Sequence, residues 1–245
     1  MIYIIMKLYK GDCLEIMKDI PDNSIDFICC DLPYGVSAAK WDNIIDGKLL
    51  WEQYNRIIKK VGTIALFASQ PFTTKLISSN EKDFRYVWYW FKNQGTNFFH
   101  AKRMPIRKVE EIVIFKKGKY YPQITEGHEP TNSAKGVSKG QAYHGTNTRN
   151  EEGGKTSRYP TNILEFNCVD NYSRIHSSQK PVDLIEYLIK TYTDENDLVL
   201  DNCMGSGSTA VACQNTNRQF IGIEKDEEIF NKAKKRIENY FLING

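Results

Sequence analysis

Several kinds of chemistry are missing from this sequence. The 6 cysteines include the adjacent pair Cys29 and Cys30, with Cys13, Cys168, Cys203 and Cys213 scattered, and none lie at the two-residue spacing of a zinc site. Buried free thiols are expected. The 4 histidines, His100, His128, His144 and His176, form no HExxH or other ligand spacing, so no metal is expected. No uninterrupted apolar run approaches the ~20 residues of a membrane helix. The opening MIYIIMKLYK is too short and too quickly charged for a signal peptide. A cytoplasmic protein without a membrane partner is the expectation.

What is present suits a globular enzyme-sized chain. Its 245 residues are 41% hydrophobic and 26% charged, enough to bury a catalytic-sized core plus something smaller. Net charge is only +3, but its distribution is uneven. Residues 85–160 carry 14 Lys and Arg against 6 Asp and Glu, a local +8 between acidic flanks. Such a segment suits a polyanion, because each cation at a phosphate releases condensed counterions. A solvated positive face is the alternative that charge alone leaves open.

Short, β-rich apolar runs bounded by turn residues predict strands at Ile25–Cys30, Val61–Ala68, Tyr86–Phe91, Glu111–Phe115, Leu198–Asp201 and Gln219–Ile223. Helical patterns lie between them at Leu14–Lys18, Leu49–Lys60, Val182–Tyr192, Thr209–Gln214 and Glu228–Tyr240. The alternation predicts an α/β fold with a doubly wound, Rossmann-like sheet. The aromatics Tyr86, Trp88, Tyr89, Trp90 and Phe91 are expected in the core. Residues 131–158 break the rhythm: 16 of the 28 are Gly, Ser, Thr, Asn or Gln, and a loop is expected.

Near the C-terminus, the strand Leu198–Asp201 runs into Asn202-Cys203-Met204-Gly205-Ser206-Gly207-Ser208-Thr209-Ala210, a helix start, and then a strand ending at Glu224. Glycines at 205 and 207 permit a tight turn and close approach to a ligand, and Glu224 can accept hydrogen bonds from both hydroxyls of a ribose. An adenosine-type cofactor is expected. A purely structural turn is the plainer reading. The turn has no Gly-Lys-Ser/Thr ending, so the lysine of a Walker A loop is missing. An NAD enzyme would normally carry the turn early, whereas here most of the sheet must come from residues before it.

The strand Ile25–Cys30 ends in Asp31-Leu32-Pro33-Tyr34-Gly35. Asp-x-Pro-Tyr arises by chance about 0.03 times in a chain of this composition. With this tetrapeptide first, a variable region second and the glycine turn last, the sequence resembles the β-class amino-DNA methyltransferases, a circularly permuted branch. Gly11-Asp12 and His176-Ser177-Ser178-Gln179-Lys180-Pro181 add to the likeness, which spans nearly the whole chain apart from about 118–172.

The resemblance implies S-adenosylmethionine as cofactor and double-stranded DNA as partner. It implies a catalytic half at 1–117, a loop-rich target-recognition region at 118–172 and a cofactor-binding half at 173–245, the halves forming one catalytic domain. An exocyclic base amine is a poor nucleophile, since its lone pair is delocalised into the ring. The Asp31 side chain and Leu32 carbonyl are suited to accept the amine hydrogens, Pro33 stiffens the turn, and Tyr34 can stack on a base rotated out of the duplex. Leu32 stands where the family commonly has proline; the carbonyl is unaffected. Cytosine-C5 chemistry needs a thiolate in a Pro-Cys turn, and the chain has no Pro-Cys dipeptide.

By the same resemblance, cofactor contacts fall to Asp12, Cys13, Asp31, Lys180, Pro181, Asp201, Met204, Gly205, Ser206, Gly207, Ser208, Thr209, Glu224 and Lys225. Asp12 also reads as a helix N-cap and Pro181 as a helix start. Lys92, Lys102, Arg103, Arg107, Lys108, Lys135, Lys139 and Arg149 are the candidate DNA contacts. Asp at the first position of the tetrapeptide favours adenine N6; cytosine N4 is the alternative. An NAD-linked oxidoreductase and a DNA-binding protein without activity are the other readings. A second copy of the chain and a cognate restriction nuclease are the candidate protein partners.

Overall fold

The computed structural model describes residues 5–35, 44–138, 147–151, 153–170, 172, 174–176 and 178–244. They divide into a unit of residues 1–121 and 162–245 and a smaller unit of residues 122–161.

Among the described residues the larger unit is built on eight strands: β1 (Met6–Lys10), β2 (Ile25–Asp31), β3 (Ile58–Ala68), β4 (Phe84–Thr96), β5 (Arg107–Phe115), β8 (Ile163–Phe166), β9 (Leu198–Asp201) and β10 (Gln219–Glu224). Their order across the sheet is β1-β10-β9-β2-β3-β5-β4-β8. The run from β1 to β3 is parallel. Strand β5 lies antiparallel to β3 and β4, and β8 runs parallel to β4. Chain order reverses between β9 and β2, where open parallel sheets place their ligands.

Strand β2 reads as a continuous apolar run because both faces are covered. Phe27 and Cys29 belong to one core with α4 (Val182–Tyr192), α5 (Ser208–Asn215) and α6 (Glu227–Asn244). Ile28 and Cys30 point the other way, into a core with α1 (Cys13–Ile16), α2 (Gly47–Ile57) and α3 (Phe72–Ser79). Helices on both faces make the sheet doubly wound, as expected.

Differences from the sequence expectations have local causes. Helix α2 stops at Ile57 instead of reaching Lys60, because Ile58 pairs with Ile25 and opens β3. Among the aromatics of β4, Trp88 and Trp90 are buried, their indole N–H groups donating to the Tyr192 hydroxyl at 2.6 Å and the Phe166 carbonyl at 2.8 Å. Tyr86, Tyr89 and Phe91 are instead partly exposed.

In the smaller unit the stretch expected to be loop contains two antiparallel strands, β6 (Ala134–Ser138) and β7 (Asn147–Glu151). Backbone bonds of 2.9 Å from Thr131 to Lys155 and 3.0 Å from His128 to Thr156 accompany them. A pairing held by backbone groups in a polar sequence leaves no period-two apolar signal to read. Residues 119–121 and β8, within the expected 118–172 segment, belong to the larger unit. Lys119 pairs with Asp197 at 2.7 Å and the Tyr121 amide donates to Thr191.

Candidate active site

Strands β2 and β9 are parallel neighbours, so their C-terminal ends leave the sheet side by side. One ends in Asp31 and the other in Asp201. Beyond them opens a cavity of about 860 Å³. Its lining brings together Asp12, Cys13, Asp31, Leu32, Pro33, Tyr34, Lys92, Lys180, Asp201, Met204, Gly205, Ser206, Ser208, Thr209, Glu224 and Lys225. Of the residues expected at the cofactor, Pro181 and Gly207 do not line it. Pro181 is the N-cap of α4, and Gly207 packs under α6, where a Cβ would fall 2.9 Å from the Ile237 side chain.

The glycine turn is built as its sequence suggests. Gly205 and Gly207 have φ of +48° and +74°, in the left-handed region that disfavours side chains. The Gly205 amide donates to one Glu224 carboxylate oxygen at 3.0 Å, and the Asp226 amide to the other at 2.9 Å. Each oxygen keeps a lone pair for a ligand hydroxyl. Burial raises the Glu224 pKa above its ordinary value although these backbone bonds oppose it. Asp12 caps α1 by accepting from the Leu14 amide at 2.9 Å and pairs with Lys225 at 3.0 Å while lining the cavity. The cap and the cavity position coexist on one side chain.

Asp201 is buried and accepts hydrogen bonds from the Thr209 hydroxyl at 2.6 Å and the Cys203 amide at 3.2 Å. Burial outweighs these bonds and pushes its carboxyl up to about 7. The next residue is tied to the opposite face of the sheet, since the buried Tyr54 hydroxyl of α2 donates to the Asn202 side chain at 2.5 Å.

Around Asp31 sits a charge network that the sequence does not announce. Lys180, just before α4, bonds Asp31 at 2.6 Å and Glu110 of β5 at 2.9 Å. Glu110 also pairs with Lys92 of β4. Two carboxylates and two ammonium groups thus balance in a largely buried cluster on the cavity wall. Burial works against the Lys180 charge, yet Asp31 and Glu110 hold its pKa above the ordinary lysine value. Burial would raise Glu110, but Lys180 and Lys92 hold it below the carboxylate range. For Asp31 burial wins: the pKa rises, with Lys180 opposing and Glu110 adding to the rise.

The Tyr34 hydroxyl donates to the other Asp31 oxygen at 2.8 Å, and its ring stacks on Phe72 with centroids 5.0 Å apart. Both Asp31 oxygens therefore already accept one hydrogen bond. A base amine must use their remaining lone pairs or displace Tyr34.

Lys92, grouped by sequence with the DNA-facing cations, is buried beside Glu110 with its ammonium 4.6 Å from the Trp90 ring centroid. Lys102, Arg103, Arg107 and Lys108 are exposed on and beside the turn joining β4 to β5. Lys135 and Arg149 lie on β6 and β7, their side chains outside the described part of the structure, and Lys139 lies outside the described residues altogether. Sequence reasoning missed Glu110 and Phe72. An acid on an antiparallel strand reads as surface, and only the sheet order shows it to be covered.

Among the described residues, no group of three or more His, Cys, Asp or Glu is arranged to hold a metal ion. No helix there is long and apolar enough to cross a membrane.

Known proteins resemble this chain in sequence and in fold. The chain is 28% identical over 265 residues to the type II methyltransferase M1.MboII of Moraxella bovis, covering 94% of this chain and 95% of that protein. It is 27% identical over 244 residues to M.BglII of Bacillus subtilis, covering 91% of this chain and 66% of the longer relative. The crystal structure of the M1.HpyAVI–SAM complex superimposes with a TM-score of 0.63 at 25% identity, over 95% of this chain and 99% of that one. The sequence model of the N6/N4 DNA methylases matches residues 25–235. With the Asp31 turn and the glycine turn opening on one cavity, this chain belongs to the N6/N4 DNA methylase family.

Proposed function

We propose that this protein transfers a methyl group from S-adenosylmethionine to the N6 amine of an adenine in a specific duplex DNA sequence. The observation carrying the proposal is the shared cavity, which joins the Asp31–Tyr34 turn to the Gly205–Thr209 turn. Its volume of about 860 Å³ lies within the ~300–1,000 Å³ of ordinary ligand sites.

The cofactor fits the groups present. The Glu224 carboxylate, fixed by two amides, suits a ribose diol. The open space above Gly205, where a Cβ would meet nothing closer than 3.9 Å, admits a ligand at the backbone. Asp201, with Thr209 donating to it, suits a cationic amine. Bound there, S-adenosylmethionine supplies an electrophilic methyl on a sulfonium.

The chain's own residues do the rest. Asp31 and the Leu32 carbonyl accept the amine hydrogens, so the nitrogen lone pair is turned out of the ring plane toward the methyl. Asp31 then stands where the amine sheds its proton. Lys180 and Glu110 hold the Asp31 carboxylate in place. Tyr34 offers a ring face to the rotated base. The exposed cations Lys102, Arg103, Arg107 and Lys108, with Lys135, Lys139 and Arg149, are assigned to phosphate contacts. Two protein partners belong to the same proposal: a second copy of the chain, and a nuclease that cuts the same sequence.

Chromatography of nucleosides from DNA of a cell expressing the chain tests the assignment. N6-methyladenine is expected. N4-methylcytosine would move the substrate to cytosine, and no modified base would overturn the activity.

A further inference from the structure

The turn between β4 and β5 presents two phenylalanines to solvent. Phe99 is 100% exposed and Phe98 75% exposed, and Met104 and Ile106 are also exposed. Bare aromatic pairs are costly to keep in water unless something covers them. The turn is also a built structure. It starts at Asn97, whose φ of +72° is left-handed, and closes through His100 amide to Asn97 carbonyl at 3.1 Å, Ala101 to Phe98 at 3.0 Å and Met104 to His100 at 3.0 Å. The Asn97 side-chain amide reaches the Met104 sulfur at 3.1 Å.

Charge says what covers it. From Asn93 to Val109 there is no Asp or Glu, while Lys102, Arg103, Arg107 and Lys108 all lie there. Position says where: Thr96 and Lys92, on the strand leading into the turn, line the catalytic cavity. An aromatic pair flanked by cations, starting two residues after Thr96 of the cavity lining, matches a nucleic acid, whose bases stack on rings and whose phosphates pair with cations.

We propose that Phe98 and Phe99 form a wedge that enters the duplex at the target site and stacks in the gap left by the rotated base. The proposal rests on the DNA-methylating function above. A wedge of this kind lowers the cost of holding a base outside the helix, so its loss is felt only where the base pair must be broken.

The test uses the full chain and a short duplex carrying its target site, mapped from the DNA of expressing cells. One version is fully paired and the other has an abasic residue opposite the target base. The double variant Phe98→Ala/Phe99→Ala is expected to lose about 10- to 100-fold in kcat/KM on the paired duplex, the range that one or two lost base–aromatic stacks allow. On the abasic duplex it should return to within about threefold of the unaltered protein, because little unstacking is left to support. The salt dependence of its binding should not change, since every cation remains.

An equal loss on both duplexes, or no loss on either, would overturn the wedge while leaving the methylation reading intact. Lys102→Ala/Arg103→Ala should flatten the salt dependence without recovery on the abasic duplex; recovery there would assign the opening of the pair to the cations and overturn the wedge. Binding to phosphatidylglycerol vesicles that needs both phenylalanines, with methylation unaffected by their loss, would assign the turn to a lipid surface and overturn it too. If the unaltered protein methylates no DNA, the reading and the wedge fall together.

Discussion

Asp201 should make cofactor binding release a proton. Its carboxyl is buried at the end of β9 and lies at about 7 because burial disfavours the charged form. A cationic amine docking beside it favours the ionised form, so the proton must leave. At pH 6 a group of pKa about 7 is roughly nine-tenths protonated, and each bound ligand should release about 0.9 protons. Affinity should then rise about fivefold from pH 6 to pH 7. Above about pH 7.7 the ligand's own α-amine begins to lose its charge, so the gain should stop and reverse.

Titration calorimetry in two buffers of different ionisation enthalpy counts the protons directly. His176 also lines the cavity, with a pKa lowered by burial, and Glu224 is raised by burial, so the decisive control is Asp201→Asn. That variant should bind more weakly and lose most of the proton release between pH 6 and 7. No release from the unaltered protein, or the same release from Asp201→Asn, would refute the reasoning. The empty fold carries the mirror signature. Because the folded pKa lies above the ordinary 3.8, the stabilising contribution is full below that value and is lost as pH rises through about 7.

Asp31→Ala should leave cofactor affinity within about twofold and lower transfer by about a hundred- to a thousandfold, by the measure of other lost transition-state contacts; lost affinity with activity retained would reverse the assignment. Glu110→Gln should leave the Lys92 charge under-compensated and cost about 3–5 kcal/mol of stability, read as a melting-temperature drop of about 6–20 °C. A second change of Lys92→Met should recover most of it, and a drop under about 1 kcal/mol would show that the network is not holding the site. Tyr54→Phe, which strands the buried Asn202 oxygen, should cost about 1–3 kcal/mol in a denaturant titration, and a neutral result would remove that tie from the account. If Lys102, Arg103, Arg107 and Lys108 all meet phosphates, log affinity against log salt should have a slope steeper than about −3, and a flat line would exclude the turn as the contact surface.

The legible parts of the molecule were those whose signal is local. A strand ending in Asp-x-Pro-Tyr and a strand ending in a glycine turn can each be read within ten residues, because the backbone there needs particular residue types. The doubly wound sheet was equally readable, since strands covered on both faces become apolar runs. Strand β8 and the β6–β7 pair were not legible. The first is four residues long, and the second pairs through backbone groups with no alternation of side chains. The role of Lys92 was hidden for another reason. Its sequence neighbourhood is basic, while its spatial neighbourhood contains the carboxylate of Glu110.

By itself, then, the sequence determined the two turns, the cofactor-type fingerprint and the basic middle segment, each a property of residues adjacent in the chain. The tertiary structure alone decided that residues 31, 92, 110 and 180 form one cluster of paired charges, and that residues 31 and 201 face one cavity. Charges far apart along the chain influence one another strongly only once the sheet order sets them within a few ångströms in a largely buried setting, and no pattern along the chain encodes that distance.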